Sequence, residues 1–336
     1  MEAISSFSRF FRKYFRNDNQ RKIGKDFIIV ESLVTDTHRF LSEDIGNTEN
    51  LNIGEHGKNL TISFISYNRS DLSIKLLESI KTYIPLFKGE ILIVDNGSNA
   101  EEINSLRAYI KNFEYDCQLI ELGRNTGPSF ARNLACKEAK YDWVMSLDND
   151  VYFISDILPI AQQEIAVLNT HFMSLPLLNP DTKSIYAYGG DIFISKIIGD
   201  EYLLEQRSIF KGKTASSLID PKPFYCNFMF GGANIAKKST FLKLDGYDEN
   251  MFIGYEDLEF SLRILREGYK LGCISALGII HDHPKDKVDY EKVRWAKNII
   301  KESADYFKQK HGYNLISEKF DKELDDLNKE LNKKES

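Results

Sequence analysis

An α/β fold built around parallel strands is what this chain predicts, on three observations. Between residues 60 and 148, short β-type runs alternate with stretches of helical periodicity, the pattern of successive βαβ units covered on both faces. The polar residues Asp95, Asn125 and Asp148 each sit just past a β-run, and in such sheets ligands bind beyond the carboxyl ends of the strands. The apolar run Trp143-Val144-Met145-Ser146-Leu147 leads straight into Asp148-Asn149-Asp150, which puts paired carboxylates at the lip of a sheet. Hard divalent cations with bound phosphates prefer that kind of site, although Asp and Asn are also common turn residues.

The elements follow in order. Residues 60–66 form a β-run, and 72–83 carry Leu72, Leu76, Leu77 and Ile80 at helical spacing. A second strand over 90–94 closes in the turn Asp95-Asn96-Gly97-Ser98. A helix is expected over 103–113, a strand over 118–122 and a helix over 129–139, before the strand that ends at Asp148. Residues 151–230 are less regular and punctuated by Pro159, Pro176, Pro180, Pro221 and Pro223; they are expected to shape an acceptor pocket. Residues 271–280 form one apolar run, and 288–310 look helical. Beyond residue 316 the tail is rich in Lys and Glu, with Phe320, Leu324, Leu327 and Leu331 on one stripe, read as a solvated helix rather than a partner-binding one. Three units are expected: 1–58, 59–285 and 286–336.

Composition narrows the function. With 336 residues, 42% hydrophobic and 28% charged, the chain is that of an ordinary soluble globular protein. A net charge of −6 argues against a nucleic-acid partner. Four cysteines without a CxxC pair point to free thiols and a reducing compartment. No apolar stretch approaches the roughly 20 residues of a membrane-spanning helix, and no signal-peptide pattern is present, so a cytoplasmic location is expected. Within residues 1–25, Phe7, Phe10, Phe11, Tyr14 and Phe15 are interleaved with Arg9, Arg12, Lys13 and Arg16. A basic helix with an aromatic face suits the anionic inner face of a membrane, or docking on the protein's own body.

The candidate site residues are spread along the chain. Ser66, Asn68 and Arg69 end the first strand, and Asp95 offers an acceptor suited to a pyrimidine N–H. In Gly123-Arg124-Asn125-Thr126-Gly127-Pro128, Gly127 allows close backbone approach and Pro128 opens a helix whose N–H groups face an anion. Arg132, one turn in, reaches toward a nucleotide or the carboxylates Asp148 and Asp150. In Phe230-Gly231-Gly232, Gly232 brings backbone close to a ligand. Glu256, Asp257 and Glu259 crowd the first turn of a helix, which the helix dipole favours in any case. Adjacent carboxylates also raise one another's pKa, which makes one a usable base. His281-Asp282-His283-Pro284 follows an apolar run; a His there suits a Mn²⁺-like ion beside a carboxylate. The two histidines are read as facing opposite sides of the chain, so one ligand is expected.

Together these segments resemble the GT-A glycosyltransferases of the family 2 type, over roughly residues 60–285. The match runs through Ile62-Ser63-Phe64-Ile65-Ser66-Tyr67-Asn68-Arg69, Val94-Asp95-Asn96-Gly97-Ser98, Arg124-Asn125-Thr126-Gly127 and Asp148-Asn149-Asp150. It continues through Phe230-Gly231-Gly232, Gly246-Tyr247 and Gly254-Tyr255-Glu256-Asp257-Leu258-Glu259-Phe260, similar to inverting β-galactosyl and polymerase members. The resemblance implies an α/β/α sandwich with a mixed central sheet, plus N- and C-terminal helical extensions. It implies that Ser66 and Asp95 contact the nucleoside, that Asp148, Asn149 and Asp150 hold the donor diphosphate and a Mn²⁺ or Mg²⁺ ion, and that His281 completes the metal shell. Asn68, Arg69, Asn125, Gly127, Arg132 and Gly232 fall on the donor side, with Asp257 as base and Glu256 beside it.

The function implied is transfer of a sugar, most naturally from a UDP-hexose, to a glycan or lipid-linked acceptor, with inversion. A dTDP-deoxysugar donor fits the same Asp95. No glutamine-and-arginine (QxxRW-like) helix of processive synthases is found, which favours a single-addition or short-chain enzyme. Two other classes compete: a nucleotidyltransferase, which would need a Gly- and Lys-bearing phosphate loop not seen at 66–71, and a non-catalytic binding protein of the same fold.

Overall fold

The computed structural model describes residues 28–32 and 51–333, except 182, 197–201, 219 and 284–287. The amphipathic helix expected within residues 1–25 lies outside the described residues, as does most of the lead-in up to residue 58.

After β1 (Ile28–Ser32), the regular part of the fold begins with β2 (Leu60–Ser66), α1 (Ser70–Tyr83), β3 (Glu90–Asp95) and α2 (Ala100–Ile110). It continues with β4 (Cys117–Glu121), α3 (Gly127–Glu138) and β5 (Trp143–Asp148). Helix α2 starts three residues before the expected point because the Asn99 side chain accepts the N–H groups of Glu101 and Glu102. These four strands are parallel in the order β5-β2-β3-β4. The strand order therefore reverses between β2 and β5, and the ends of these two strands, Ser66 and Asp148, flank the switch point.

The second half adds β6 (Val151–Phe153), α4 (Leu158–Leu168), β7 (Phe172–Ser174), β8 (Leu177–Leu178) and β9 (Ile185–Ala187). Then come β10 (Gly190–Lys196), β11 (Tyr202–Ser208), β12 (Phe224–Cys226), β13 (Ala233–Lys237), α5 (Lys238–Lys243) and α6 (Glu256–Arg266). Strand β13 runs antiparallel between β5 and β7. With β14 (Leu271–Cys273) the central sheet becomes mixed, in the order β12-β14-β7-β13-β5-β2-β3-β4. The apolar run 271–280 is two strands rather than one. The buried Glu164 accepts hydrogen bonds from the Ser275 N–H and hydroxyl, which turns the chain out of the central sheet. The remainder, β15 (Ile279–His281), pairs antiparallel with β6 in a smaller sheet.

Both faces of the central sheet are covered, and β3 is buried along its whole length, with apolar residues on both sides. Ile91 and Ile93 of β3 pack with Leu76, Leu77 and Ile80 of α1, while Leu92 and Val94 pack with Ala131 and Ala135 of α3 and Phe260 of α6. Leu51 and Ile53 are also buried in this core, upstream of residue 59.

The C-terminal segment folds as α7 (Val288–Arg294), α8 (Lys297–His311) and α9 (Glu318–Lys333). The stripe on α9 is not solvated as expected: Leu324 and Leu331 are buried, and Asn328 donates to the carbonyl of Trp295. A stripe of this kind needs an apolar surface, and here the surface belongs to the same chain, which local periodicity does not reveal.

Phe307 and Ala304 of α8 share a core with Leu258 and Leu262 of α6. The same two helices are tied by Glu259, fully buried, which accepts from Arg263 at 2.6 Å, Lys310 at 2.8 Å and His311 at 3.3 Å. Burial alone would raise its pKa, but these three partners hold it down at about 2. A depressed carboxylate stabilises the fold above its unfolded value of 4.5 and loses that contribution as pH falls toward about 2. Glu259→Gln is expected to cost about 3 kcal/mol, read as a lower melting temperature at neutral pH and a smaller loss of stability on acidification.

Candidate active site

The antiparallel pairing of β6 with β15 sets His281 opposite Val151, and the Asp282 N–H donates to the Asp150 carbonyl at 2.8 Å. A histidine-bearing strand is thereby laid beside the carboxylate triplet, from 130 residues away in sequence. Asp150 is buried, with His281 Nε2 3.7 Å from its Oδ1 and His283 Nδ1 2.8 Å from its Oδ2. Arg69 Nη1 also reaches Oδ2, at 3.2 Å. One ligand atom from each of Asp150, His281 and His283 lies within 4.8 Å of the others. This corrects the expectation that the two histidines face opposite sides. Residues i and i+2 of an extended segment share a face, and the two rings stand parallel to within 7°, 6.0 Å apart.

The donor set fits a divalent cation on an observation of its own. Asp150 Oδ1 is buried and has no hydrogen-bond partner, since 3.7 Å to His281 is too long for one. A buried carboxylate oxygen facing an imidazole nitrogen across such a gap is an arrangement that an ion with carboxylate and imidazole affinity satisfies. Burial alone would raise the Asp150 pKa, but the His283 hydrogen bond and the charges of His281 and Arg69 hold it well below the usual carboxylate range. Burial lowers the His281 pKa, which keeps the ring neutral as metal ligation requires.

Beneath this cluster a polar chain fixes the loops. Arg69 Nη2 donates to Asn149 Oδ1 at 2.7 Å, and Asn149 Nδ2 donates to the Arg69 carbonyl and Ser73 Oγ. Ser73 Oγ in turn donates to Ser66 Oγ at 2.9 Å, so Ser66 is an internal residue of the network. Asn68, at φ 50°, accepts from the Asn99 N–H and donates its own N–H to Ser98 Oγ. Neither Ser66 nor Asn68 lines the cleft. Asp95 Oδ2 accepts the N–H groups of Gly97 and Ser98, while its Oδ1 is buried without a partner.

A cleft of about 450 Å³ opens above, lined by Arg69, Asn96, Asn125, Arg132, Asp148, Asn149, Gly232, Glu256, Asp257 and His281 among others. Helix α3 organises its far wall. Asn133 Oδ1 accepts the Tyr247 N–H and Asn133 Nδ2 donates to the Tyr247 carbonyl, while Ser129 donates to the Met251 carbonyl. These bonds dock the loop that leads into α6, where Tyr255 takes a left-handed conformation at φ 68°, which a non-glycine residue seldom adopts. At Gly127, φ 80° and the Phe252 carbonyl 2.6 Å from a built Cβ leave no room for a side chain. Arg132 joins the two sides of the cleft: Nη2 bonds Asp148 at 2.8 Å and Nη1 bonds Glu256 at 3.0 Å.

Asp257 accepts the Leu258 N–H at 2.8 Å, and its Oδ2 lies 3.5 Å from the Gly231 nitrogen. Burial, and next the negative charge of Glu256, raise its pKa to about 7. Gly232 passes the Asp148 carboxylate so closely that a Cβ would lie 2.0 Å from Oδ2. Gly232→Ala is therefore expected to cost about 1–3 kcal/mol and to push Asp148 from the cleft, read as a lower melting temperature together with weaker nucleotide binding.

Tyr186 lies in the stretch expected to shape an acceptor pocket and does line the cleft, whereas lining from the C-terminal segment was not expected. Tyr186 stacks on His281, with ring centroids 4.2 Å apart. Arg294, Trp295 and Phe320 come from the C-terminal helices. The segment Glu291-Lys292-Val293-Arg294-Trp295 departs from a QxxRW pattern only at its first position, where Glu stands in place of Gln.

Residues 61–176 match the family model described as "Glycosyl transferase family 2". The chain is 23% identical over 243 residues to the poly-beta-1,6-N-acetyl-D-glucosamine synthase of Staphylococcus aureus, covering 72% of this chain and 54% of that protein. It is 26% identical over 269 residues to the hyaluronan synthase of Pasteurella multocida, covering 71% of this chain and 26% of that protein. The chain thus spans about half the length of the first relative and a quarter of the second. The crystal structure of GalNAc-T7 with UDP, GalNAc and Mn²⁺ superposes at a TM-score of 0.53 and 19% identity, over 68% of this chain and 44% of that one, which shows a common fold. Among the described residues no helix is long and apolar enough to cross a membrane. The strand order, the loops gathered at the switch point and the GalNAc-T7 superposition agree on a GT-A fold, within which residues 61–176 match the family 2 glycosyltransferase model.

Proposed function

We propose that the chain is a metal-dependent inverting transferase that moves a hexose from a UDP donor to a glycan or lipid-linked glycan in surface polysaccharide assembly, at the cytoplasmic membrane face. The observation that carries this reading is Asp257. It is a carboxylate whose pKa of about 7 suits a base near neutrality, and it lines the same cleft as Asp148 and His281. Asp150 and His281 would hold a divalent cation, Mn²⁺ or Mg²⁺, which when bound neutralises charge on the departing diphosphate. The unpartnered Asp95 Oδ1 would accept a pyrimidine N–H, with Asn125, Gly127, Asp148, Asn149 and Gly232 around the rest of the donor. Thymine would fit Asp95 equally, so a dTDP-deoxysugar is the alternative donor. The UDP and Mn²⁺ of the GalNAc-T7 structure support the first choice.

In the transfer, the Asp257 carboxylate takes the proton of an acceptor hydroxyl as that oxygen bonds to the anomeric carbon. The bond from that carbon to the diphosphate oxygen breaks, its electron pair leaves with the nucleotide, and the configuration inverts. Arg132, bound to Glu256 and Asp148 at once, holds the acceptor and donor walls in register. Trp295 and Arg294 in the cleft, with two relatives that are polysaccharide synthases, favour repeated addition over the single addition expected from sequence. The transfer unit is assigned to residues 59–285, the cover of the cleft to 286–336, and membrane contact to residues 1–25.

The test is incubation with UDP-, dTDP- and GDP-sugars, with and without Mn²⁺, followed by proton NMR of the products. A UDP-hexose consumed only with metal, and a product of opposite anomeric configuration, are expected. Metal-independent consumption or a retained configuration would contradict the proposal.

A further inference from the structure

Three features of the metal cluster point beyond the pair Asp150 and His281. The first is His283, whose Nδ1 lies 2.8 Å from Asp150 Oδ2, within the same 4.8 Å set of ligand atoms as His281. The second is its other nitrogen: Nε2 bonds Glu291 Oε1 on α7. A ligating imidazole offers one nitrogen to the ion and needs an acceptor for the other, and a carboxylate in that place fixes the tautomer and raises the ligand's basicity. The third is that Glu291 is itself held. Trp295 Nε1 donates to Glu291 Oε2 at 2.9 Å, and the Trp295 carbonyl accepts from Asn328 of α9 at 2.8 Å. A continuous path, Asp150–His283–Glu291–Trp295–Asn328, thus links the cluster to the helices that cover the cleft. Arg294 Nη1 stands 3.3 Å from His283 Nδ1, and this guanidinium, on a long side chain, would have to yield to an ion of greater charge.

Resting on the metal-dependent reading above, we propose that His283 is a third protein ligand of the cation, oriented by Glu291, so that tight metal binding requires the C-terminal helices to be docked. Two imidazoles and one carboxylate favour Mn²⁺ over Mg²⁺, which prefers an all-oxygen shell. Glu291 acts as a positioning residue and does not touch the ion.

The experiment titrates Mn²⁺ into the full chain in the presence of UDP, with bound ion followed by electron paramagnetic resonance. His283→Ala and Glu291→Gln are each expected to weaken Mn²⁺ binding by about 10- to 100-fold, and Mg²⁺ should compete poorly. Pulsed resonance on the unaltered chain should show two imidazole nitrogens on Mn²⁺, a readout that needs no variant to fold. A single imidazole in the unaltered chain, with His283→Ala binding Mn²⁺ as tightly while His281→Ala and Asp150→Asn lose it, overturns the third ligand and leaves the metal-dependent reading in place. If the unaltered chain takes up no Mn²⁺ with UDP, both fall together.

Discussion

Replacing Asp257 by asparagine is expected to lower the transfer rate by about 10²- to 10⁴-fold and to leave UDP binding unchanged. The amide keeps the size of the side chain and can still accept the Leu258 N–H, so the start of α6 holds its shape. What is lost is a group that can accept a proton from the acceptor hydroxyl. The parent enzyme should show an acid limb near pH 7, because below the raised pKa of Asp257 the carboxyl is protonated and no base is present. The same shift has a stability sign. A carboxyl raised in the fold above its ordinary 3.8 favours the folded state at low pH, and that advantage is lost as pH rises toward 7. Asp257→Asn should therefore melt at a higher temperature than the parent at alkaline pH, the usual trade of stability against activity. Loss of UDP binding in this variant would assign Asp257 to the donor side instead.

Asp150→Asn is the second large effect. Asp150 lies buried against Arg69, His281 and His283, and removing its charge breaks its ion pair with Arg69, itself nearly buried. Breaking a buried pair in this way costs roughly 3–5 kcal/mol, so the variant should melt well below the parent. More diagnostic is the response to Mn²⁺ with UDP, which should raise the melting temperature of the parent by mass action and leave that of Asp150→Asn unmoved. An equal rise in both would remove Asp150 from the metal.

The first half of the fold could be read from sequence because each parallel strand is followed by a helix and a polar loop, and the switch point gathers those loops without long-range information. Asp148 and Asn125 are legible that way and both line the cleft, whereas Asp257, which also lines it, stands out only as one of the carboxylates crowding a helix start and takes its role from the resemblance. The second half depends on pairing between distant segments. That His281 would be laid beside Asp150 by the β6–β15 ladder has no local signal, and the resemblance alone suggested it. His283 shares a face with His281 by the period of two of an extended segment, which the opposite-face expectation misses. The contribution of α7 and α9 to the cleft was hidden because an amphipathic stripe states that a helix will be covered, not by what. Ser66 and Asn68 show the opposite case, since their loop is the expected one but their side chains are spent on Ser73 and the Asn99 N–H.

Calorimetric titration of UDP, with Mn²⁺ and with chelator, into the parent, Asp257→Asn and Asp150→Asn is the most direct examination of how this cleft divides its labour. Donor capture and proton removal should separate: metal-dependent heat in the parent and in Asp257→Asn, none in Asp150→Asn. UDP that binds equally well under chelator, or equally well to Asp150→Asn, would contradict the account at its centre.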